Sequence, residues 1–417
     1  MADTRFWHPF ADMGAVRGAE FVIERGEDVW VWDTEGTRYY DACASLWYAN
    51  IGHGRPEIAA AVAAQLAKIE VYSSFGDYAC PPTLELTDML AARAPMPARV
   101  FLTSGGGDSI DVAAKLARRY WYELGQPERT LFVSRTQGYH GTHGYGTALG
   151  GIPVNRTGYG PQVATEQVAH DSVEALEEAF TRIGPERIAA FFVEPVIGAG
   201  GVHPPGPRYI EGVAALCERN GVLLVVDSVI CAFGRLGTWF GIERWDVTPD
   251  LITFAKGVTS GYLPLGGVII SDRVAEPFWS APGAPVFRHG ATYAGHATCA
   301  AAGVANLGIL ERENLIPRGA ELEGPLHEAL LALADHPAAG EVRGGTGMLA
   351  AIDLAPELRE RDPGAVGRLA MGARKAGVLV RALGTGAAVS PPLTATAEQF
   401  ELITQALAAG LDAAAAG

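Results

Sequence analysis

The 417-residue sequence has no apolar run approaching the ~20 residues that a membrane-spanning helix needs, and the expectation is a soluble chain. Cysteine is scarce. Cys43, Cys80, Cys217, Cys231 and Cys299 are odd in number and scattered. They show neither CxxC nor metal-ligand spacing, so no disulfide framework and no metal site is expected, and reduced thiols in a cytoplasmic protein are the simplest assignment. Positive charge is also short: the net charge of −15 leaves no basic footprint for a nucleic-acid backbone. The opening residues MADTRFWHPFADM lack an apolar core between a basic segment and a cleavage site, so no secretory leader is expected. Short-period repeats and long low-complexity linkers are missing, although the Ala-rich stretch 408–417 is a candidate for fraying. A G-x-G-x-x-G turn is absent too, which counts against a nucleotide-binding dehydrogenase.

What the chain does contain is 48% hydrophobic and 19% charged residues, the balance of a globular protein large enough for a sizeable core and a second, smaller domain. Residues 21–42 alternate apolar and polar positions around Gly-centred turns, as in a small antiparallel meander, and Pro56 opens a helix predicted over 56–70. From about Arg99 strand and helix patterns alternate. Strands are predicted at 99–103, 130–134, 188–194, 222–226, 251–254 and 266–271, with helices at 108–124 and 208–220. That alternation predicts an α/β fold with a mostly parallel sheet between helices. After a long helix over 296–312, shorter patterns at 348–354 and 378–382 predict a smaller α+β domain built with the N-terminal meander. The expected division is 1–50 joining the small domain, 51–313 as the large domain and 314–417 as the C-terminal part of the small one.

The most informative stretch is 221–261. Two short apolar runs end in charge: Asp227 follows the first, and Lys256 lies two places beyond the second. Buried parallel strands read this way, and open α/β sheets hold ligands at the strand C-termini. Burying either charge unpaired would cost several kcal/mol, roughly, so a compensating group is required. A cofactor cationic at one end and carrying an aldehyde at the other satisfies both, and pyridoxal phosphate is such a molecule. Gly105-Gly106-Gly107 follows a strand and opens a helix, where free amides face an anion; a glycine turn alone serves equally as a tight structural turn. Tyr139-His140-Gly141 and Glu194 fall at the same predicted sheet edge.

Taken together and in order, SGGGDSIDVAAKLAR, GYHG, VEPV, LLVVDSVICAFGRLG, LITFAKGVTSGYLPLGG and HGATYAGHATCAAA resemble the class III aminotransferases, fold-type I enzymes that depend on pyridoxal phosphate. Within them the chain is most similar to omega-transaminases of the amine:pyruvate type. The resemblance runs from FWHPF to VRALGTGAAVSPPL and implies a seven-stranded-type sheet. It implies that Lys256 holds the cofactor as a Schiff base and afterwards moves the substrate proton. Asp227 would bind the pyridine nitrogen, with Val229 and Tyr139 on the two ring faces. Gly106, Gly107 and Thr292 of a neighbouring subunit would hold the phosphate, so the active site would lie at the interface of a homodimer or tetramer. His140 and Glu194 would support the ring.

The same resemblance implies that Arg381 binds a substrate carboxylate and swings aside for an uncharged amine. Trp47 and Tyr48 would line the substrate pocket, although an aromatic pair there equally suits a core. The expected reaction transfers an amino group from a primary amine or ω-amino acid to a 2-oxo acid such as pyruvate. Aminomutases and racemases of the same family, and a relative that retains cofactor poorly, are the alternatives. Three positions depart from the family pattern: Ser228 stands where Glu is usual, Gly107 where Ser is common, and Ala297 where Pro follows Gly-His.

Overall fold

The computed structural model describes residues 4–416. The expected meander forms from strands β1 (Ile23–Glu27), β2 (Trp30–Asp33) and β3 (Arg38–Asp41), paired antiparallel. The central sheet comprises β4 (Ala98–Thr103), β5 (Leu131–Arg135), β6 (Thr165–Val168), β7 (Ile188–Val193), β8 (Leu223–Asp227), β9 (Leu251–Phe254) and β10 (Gly266–Ser271). Its spatial order is β4-β10-β9-β8-β7-β5-β6. All neighbours from β9 to β6 are parallel, whereas β10 is antiparallel to both β9 and β4. The connection from β9 to β10 explains the exception. It contains only a short 3-10 turn, and a parallel return would need a crossover of about a dozen residues or more.

Every residue of β8 is buried, which is why it reads as an unbroken apolar run. Leu224 and Val226 pack on one side of the sheet with Phe191 and Val193. Leu223 and Val225 pack on the other with Val112, Leu116 and Trp121 of the helix Gly106–Glu123. The sheet therefore lies between two cores, and the charge that ends β8 emerges at its edge.

The C-terminal strands are β11 (Ala339–Arg343), β12 (Ala350–Leu354), β13 (Val378–Leu379), β14 (Arg381–Ala382) and β15 (Gly386–Val389). The run 378–382, expected as one strand, divides between two sheets. β13 adds in parallel to β3, while β14 pairs antiparallel with β15 in the sheet β11-β12-β15-β14. The predicted helix 56–70 ends at Leu66. The strand expected at 348–354 begins at Ala350, because the Met348 amide bonds instead to the Arg235 carbonyl. The helix expected from Asp108 begins two residues earlier, at Gly106.

Candidate active site

Asp227 ends β8 with 4% of its surface exposed. Its Oδ2 lies 2.7 Å from His140 Nδ1, and its Oδ1 accepts from the Val229 amide at 3.1 Å and the Thr253 hydroxyl at 3.2 Å. Thr253 is the partner of Asp227 across the parallel β8–β9 pair, so the sheet register itself delivers that hydroxyl. Three donors hold a buried carboxylate that would otherwise be costly.

Lys256 follows β9 by two residues and is partly buried. Burial lowers the pKa of its ammonium below the ordinary lysine value, while the charges of Asp227 and Glu194, and the Cys231 thiol, oppose the shift. Glu194, just beyond β7, accepts from the Tyr139 amide through Oε1 (2.9 Å) and from the Gly198 amide through Oε2 (3.0 Å). Burial raises its pKa, and neighbouring His140 pulls the other way. Arg135, itself buried, donates to the Glu194 carbonyl and so ties the end of β5 to the end of β7.

The glycine turn sits at the same edge. A Cβ on Gly106 would stand 2.9 Å from Val229 Cγ1, so the helix start tucks beneath Val229 only because position 106 has no side chain. Gly141 has φ +83°, and a Cβ there would come 2.8 Å from the Gly107 Cα. The Tyr139–His140–Gly141 loop thus lies directly on the helix N-terminus. Among the described residues no hydrogen bond uses the Gly106 or Gly107 amide, which leaves both free for an anion.

Nine of the residues singled out in the sequence converge on one cavity of about 490 Å³. Tyr48, Gly106, Gly107, Tyr139, His140, Glu194, Asp227, Val229 and Lys256 all line it. Tyr48 lies against backbone at Gly261, where a Cβ would be 2.2 Å from its ring, and its hydroxyl meets Ser45 Oγ at 2.5 Å.

Three others stand outside the wall. Trp47 is 3% exposed and packs with Val196, Val202, Ile230 and Leu349 in an apolar cluster. Left-handed φ values at Ala44, Ser45 and Trp47 turn its ring into that core. Arg381 is exposed on β14, close enough for its charge to act on Tyr139. There it opposes the rise in phenol pKa that burial and Asp227 produce. Thr292 is exposed and beyond the cavity of its own chain. Ser228 is fully buried, yet its hydroxyl donates to the Phe240 carbonyl at 2.6 Å and does not reach the cavity.

The sequence reading missed Thr253 and Arg135. Thr253 carried a signal, as the one polar residue within an otherwise apolar strand. Arg135 closes β5 much as Asp227 closes β8, but its partner is the backbone carbonyl of Glu194, which only the fold brings to it.

An amine whose pKa burial lowers, a buried carboxylate and a pair of free helix amides around one cavity could hold a phosphorylated, aldehyde-bearing cofactor with a basic ring nitrogen. Comparison with known proteins makes the assignment specific. The aminotransferase class-III family matches residues 13–411, and the chain belongs to it, as a pyridoxal-phosphate-dependent aminotransferase. It is 35% identical to the putrescine–pyruvate aminotransferase of Pseudomonas aeruginosa, over 97% of this chain and 96% of that protein. Among solved structures, an (S)-enantioselective omega-transaminase from Thermomicrobium roseum superposes with a TM-score of 0.93 and 39% identity, covering 98% of this chain and 96% of that one. An amine transaminase from an uncultivated Pseudomonas species, solved with pyridoxal phosphate bound, gives 0.93 and 37%, covering 99% of each chain.

Proposed function

We propose that the enzyme moves an amino group from a primary amine or ω-amino acid to a small 2-oxo acid, with pyruvate as the foremost acceptor. The observation that carries this is the placement of a lysine of lowered pKa in one cavity with Asp227 and the free glycine amides. Similarity to a putrescine–pyruvate aminotransferase and to omega-transaminases supports the substrate class.

In this assignment Lys256 is the anchor for the cofactor aldehyde, and its freed amine later carries the proton removed from the substrate carbon. A lowered pKa suits both tasks, because each needs a neutral amine below the ordinary lysine range. Asp227, fixed by His140, Val229 and Thr253, stays where a ring nitrogen is to be bound and kept protonated. When bound, pyridoxal phosphate supplies the electron sink for the carbon losing its proton. Tyr139 and Val229 confine the ring, and the Gly106 and Gly107 amides receive the phosphate. Glu194 orients Tyr139 through its amide.

Arg381 fits the capture of a substrate carboxylate, since guanidinium matches carboxylate in a two-bonded fork and its β14 position is exposed. Thr292 is assigned to the phosphate site of a neighbouring subunit in a homodimer or a tetramer. Exposed Trp7, Tyr72, Phe75, Tyr78 and Tyr293 provide apolar surface for such a partner to cover. Five buried, unpaired cysteines support a reducing, cytoplasmic location.

The test is a panel of amines and ω-amino acids supplied with pyruvate or 2-oxoglutarate, followed by release of the product amino acid. Turnover is expected to stop after one cofactor equivalent when the 2-oxo acid is left out. Continued turnover without it would contradict amino transfer.

A further inference from the structure

Lys256 occupies the left-handed region of backbone space, with φ +46°, a conformation that residues bearing a Cβ rarely adopt. Such a conformation persists only where the surroundings over-determine it. The chain then enters a 3-10 turn, Lys256–Val258, and one side chain grips that turn. Asn306 Nδ2 donates to the Gly257 carbonyl at 2.8 Å and to the Val258 carbonyl at 3.0 Å. A primary amide has two N–H groups, and both are spent on these consecutive carbonyls.

Asn306 is fully buried in the helix Ala297–Arg312, whose neighbouring buried positions include Ala302, Leu307, Ile309 and Leu310. A buried amide among such residues is costly unless bonded; the turn satisfies both of its N–H groups, while its Oδ1 has no hydrogen-bond partner among the described residues. The turn is closed in from another direction as well. A Cβ on Gly257 would lie 2.6 Å from Asn50 Nδ2 and 3.0 Å from Phe233 Cβ. The backbone that carries Lys256 therefore has a helix amide on its carbonyls and no room to retreat.

We infer that Asn306 is a positioning residue for Lys256: its amide fixes the turn so that the lysine amine stays aimed into the cavity throughout the reaction. Being neutral, Asn306 does this without adding a charge beside the amine. Proton transfer from a substrate carbon needs the amine within about 3–3.5 Å, and a misplacement of roughly 1 Å costs about 100-fold in rate. This inference rests on the assignment of Lys256 as the proton carrier.

The experiment uses holoenzyme carrying Asn306→Leu, which removes the amide at similar volume, and Asn306→Asp, which keeps the shape but loses both donors when ionised. Single-turnover rates of the amine half-reaction are measured with protio and α-deuterated amine, together with the amine concentration for half-saturation. The pH titration of the visible band of the resting holoenzyme is recorded alongside. Expected is a fall of about 10- to 100-fold in the half-reaction rate, a larger isotope effect, and a displaced band titration, with half-saturation little changed. Should Asn306→Leu fail to fold, Asn306→Asp alone decides. A folded, loaded variant with wild-type rate, isotope effect and band titration overturns the inference. So does a rate loss with unchanged isotope effect and titration, the mark of general destabilisation. Lys256→Ala separates the two claims. An active half-reaction in that variant would sink the lysine assignment itself, whereas an inactive one beside wild-type Asn306 variants sinks only the role of Asn306.

Discussion

At the scale of single residues, the site combines groups whose environments push them toward useful states. Burial lowers the pKa of Lys256, so its neutral form appears at lower pH than an ordinary lysine of 10.5 would allow. Capture of pyridoxal phosphate by apoenzyme, followed by its absorbance over a pH series, should therefore rise through a midpoint below that value; a midpoint at or above it contradicts the burial argument. Gly107 offers a second prediction. A Cβ there would meet the His143 ring at 3.4 Å, an ordinary contact, so Gly107→Ser has room for a hydroxyl beside the free amides. One added hydrogen bond of about 1 kcal/mol corresponds to roughly fivefold tighter cofactor binding, measurable as a change in the dissociation constant of the resolved enzyme. Ser228, the departure beside Asp227, spends its hydroxyl on Phe240 and leaves the cavity wall untouched.

Asp227 and Lys256 were legible in the sequence because a charge at the end of an apolar run is conspicuous. Thr253 and Asn306 stand out in the sequence only as polar residues within an apolar strand and helix, and what each holds is decided by a partner that the fold supplies. Tyr48 and Trp47 show the same limit. The sequence marks the pair as aromatic, but only the backbone turn with positive φ at Ala44, Ser45 and Trp47 decides that Tyr48 meets the cavity and Trp47 the core.

At the scale of elements, six of the seven strands of the central sheet were legible as apolar runs, β9 at its predicted bounds and β8 one residue beyond 222–226, whereas β6, an edge strand of sequence TEQV with one buried residue, offers no such run. The run 378–382 did not resolve, because apolar content tells that a segment is extended but not which sheet it joins. Its division sets Arg381 on β14, at the start of the pairing with β15. From that position follows a test of specificity. Arg381→Ala should lose activity on amino acids by about 10-fold or more, as expected when a charge-assisted pair worth ~1.5–3 kcal/mol is removed, while plain amines lose little. Equal losses across both classes would remove Arg381 from carboxylate recognition.

For the whole molecule, the exposed aromatic rings of Trp7, Tyr72, Phe75 and Tyr293 predict association with a second copy of the chain. Sedimentation is expected to show a dimer or tetramer, and activity per chain should fall on dilution as the assembly dissociates. Full activity in a population shown to be monomeric would contradict an active site shared between subunits.

The central claim is that Lys256 is the covalent anchor of pyridoxal phosphate, with Asp227 at the other end of the same cofactor. Borohydride reduction of the cofactor-loaded protein, followed by peptide mass spectrometry, tests it directly. The account predicts a reduced phosphopyridoxyl adduct on Lys256 and the loss of that adduct in Lys256→Ala. Protein saturated with pyridoxal phosphate that yields no adduct at Lys256, or yields it on another lysine, would contradict the account.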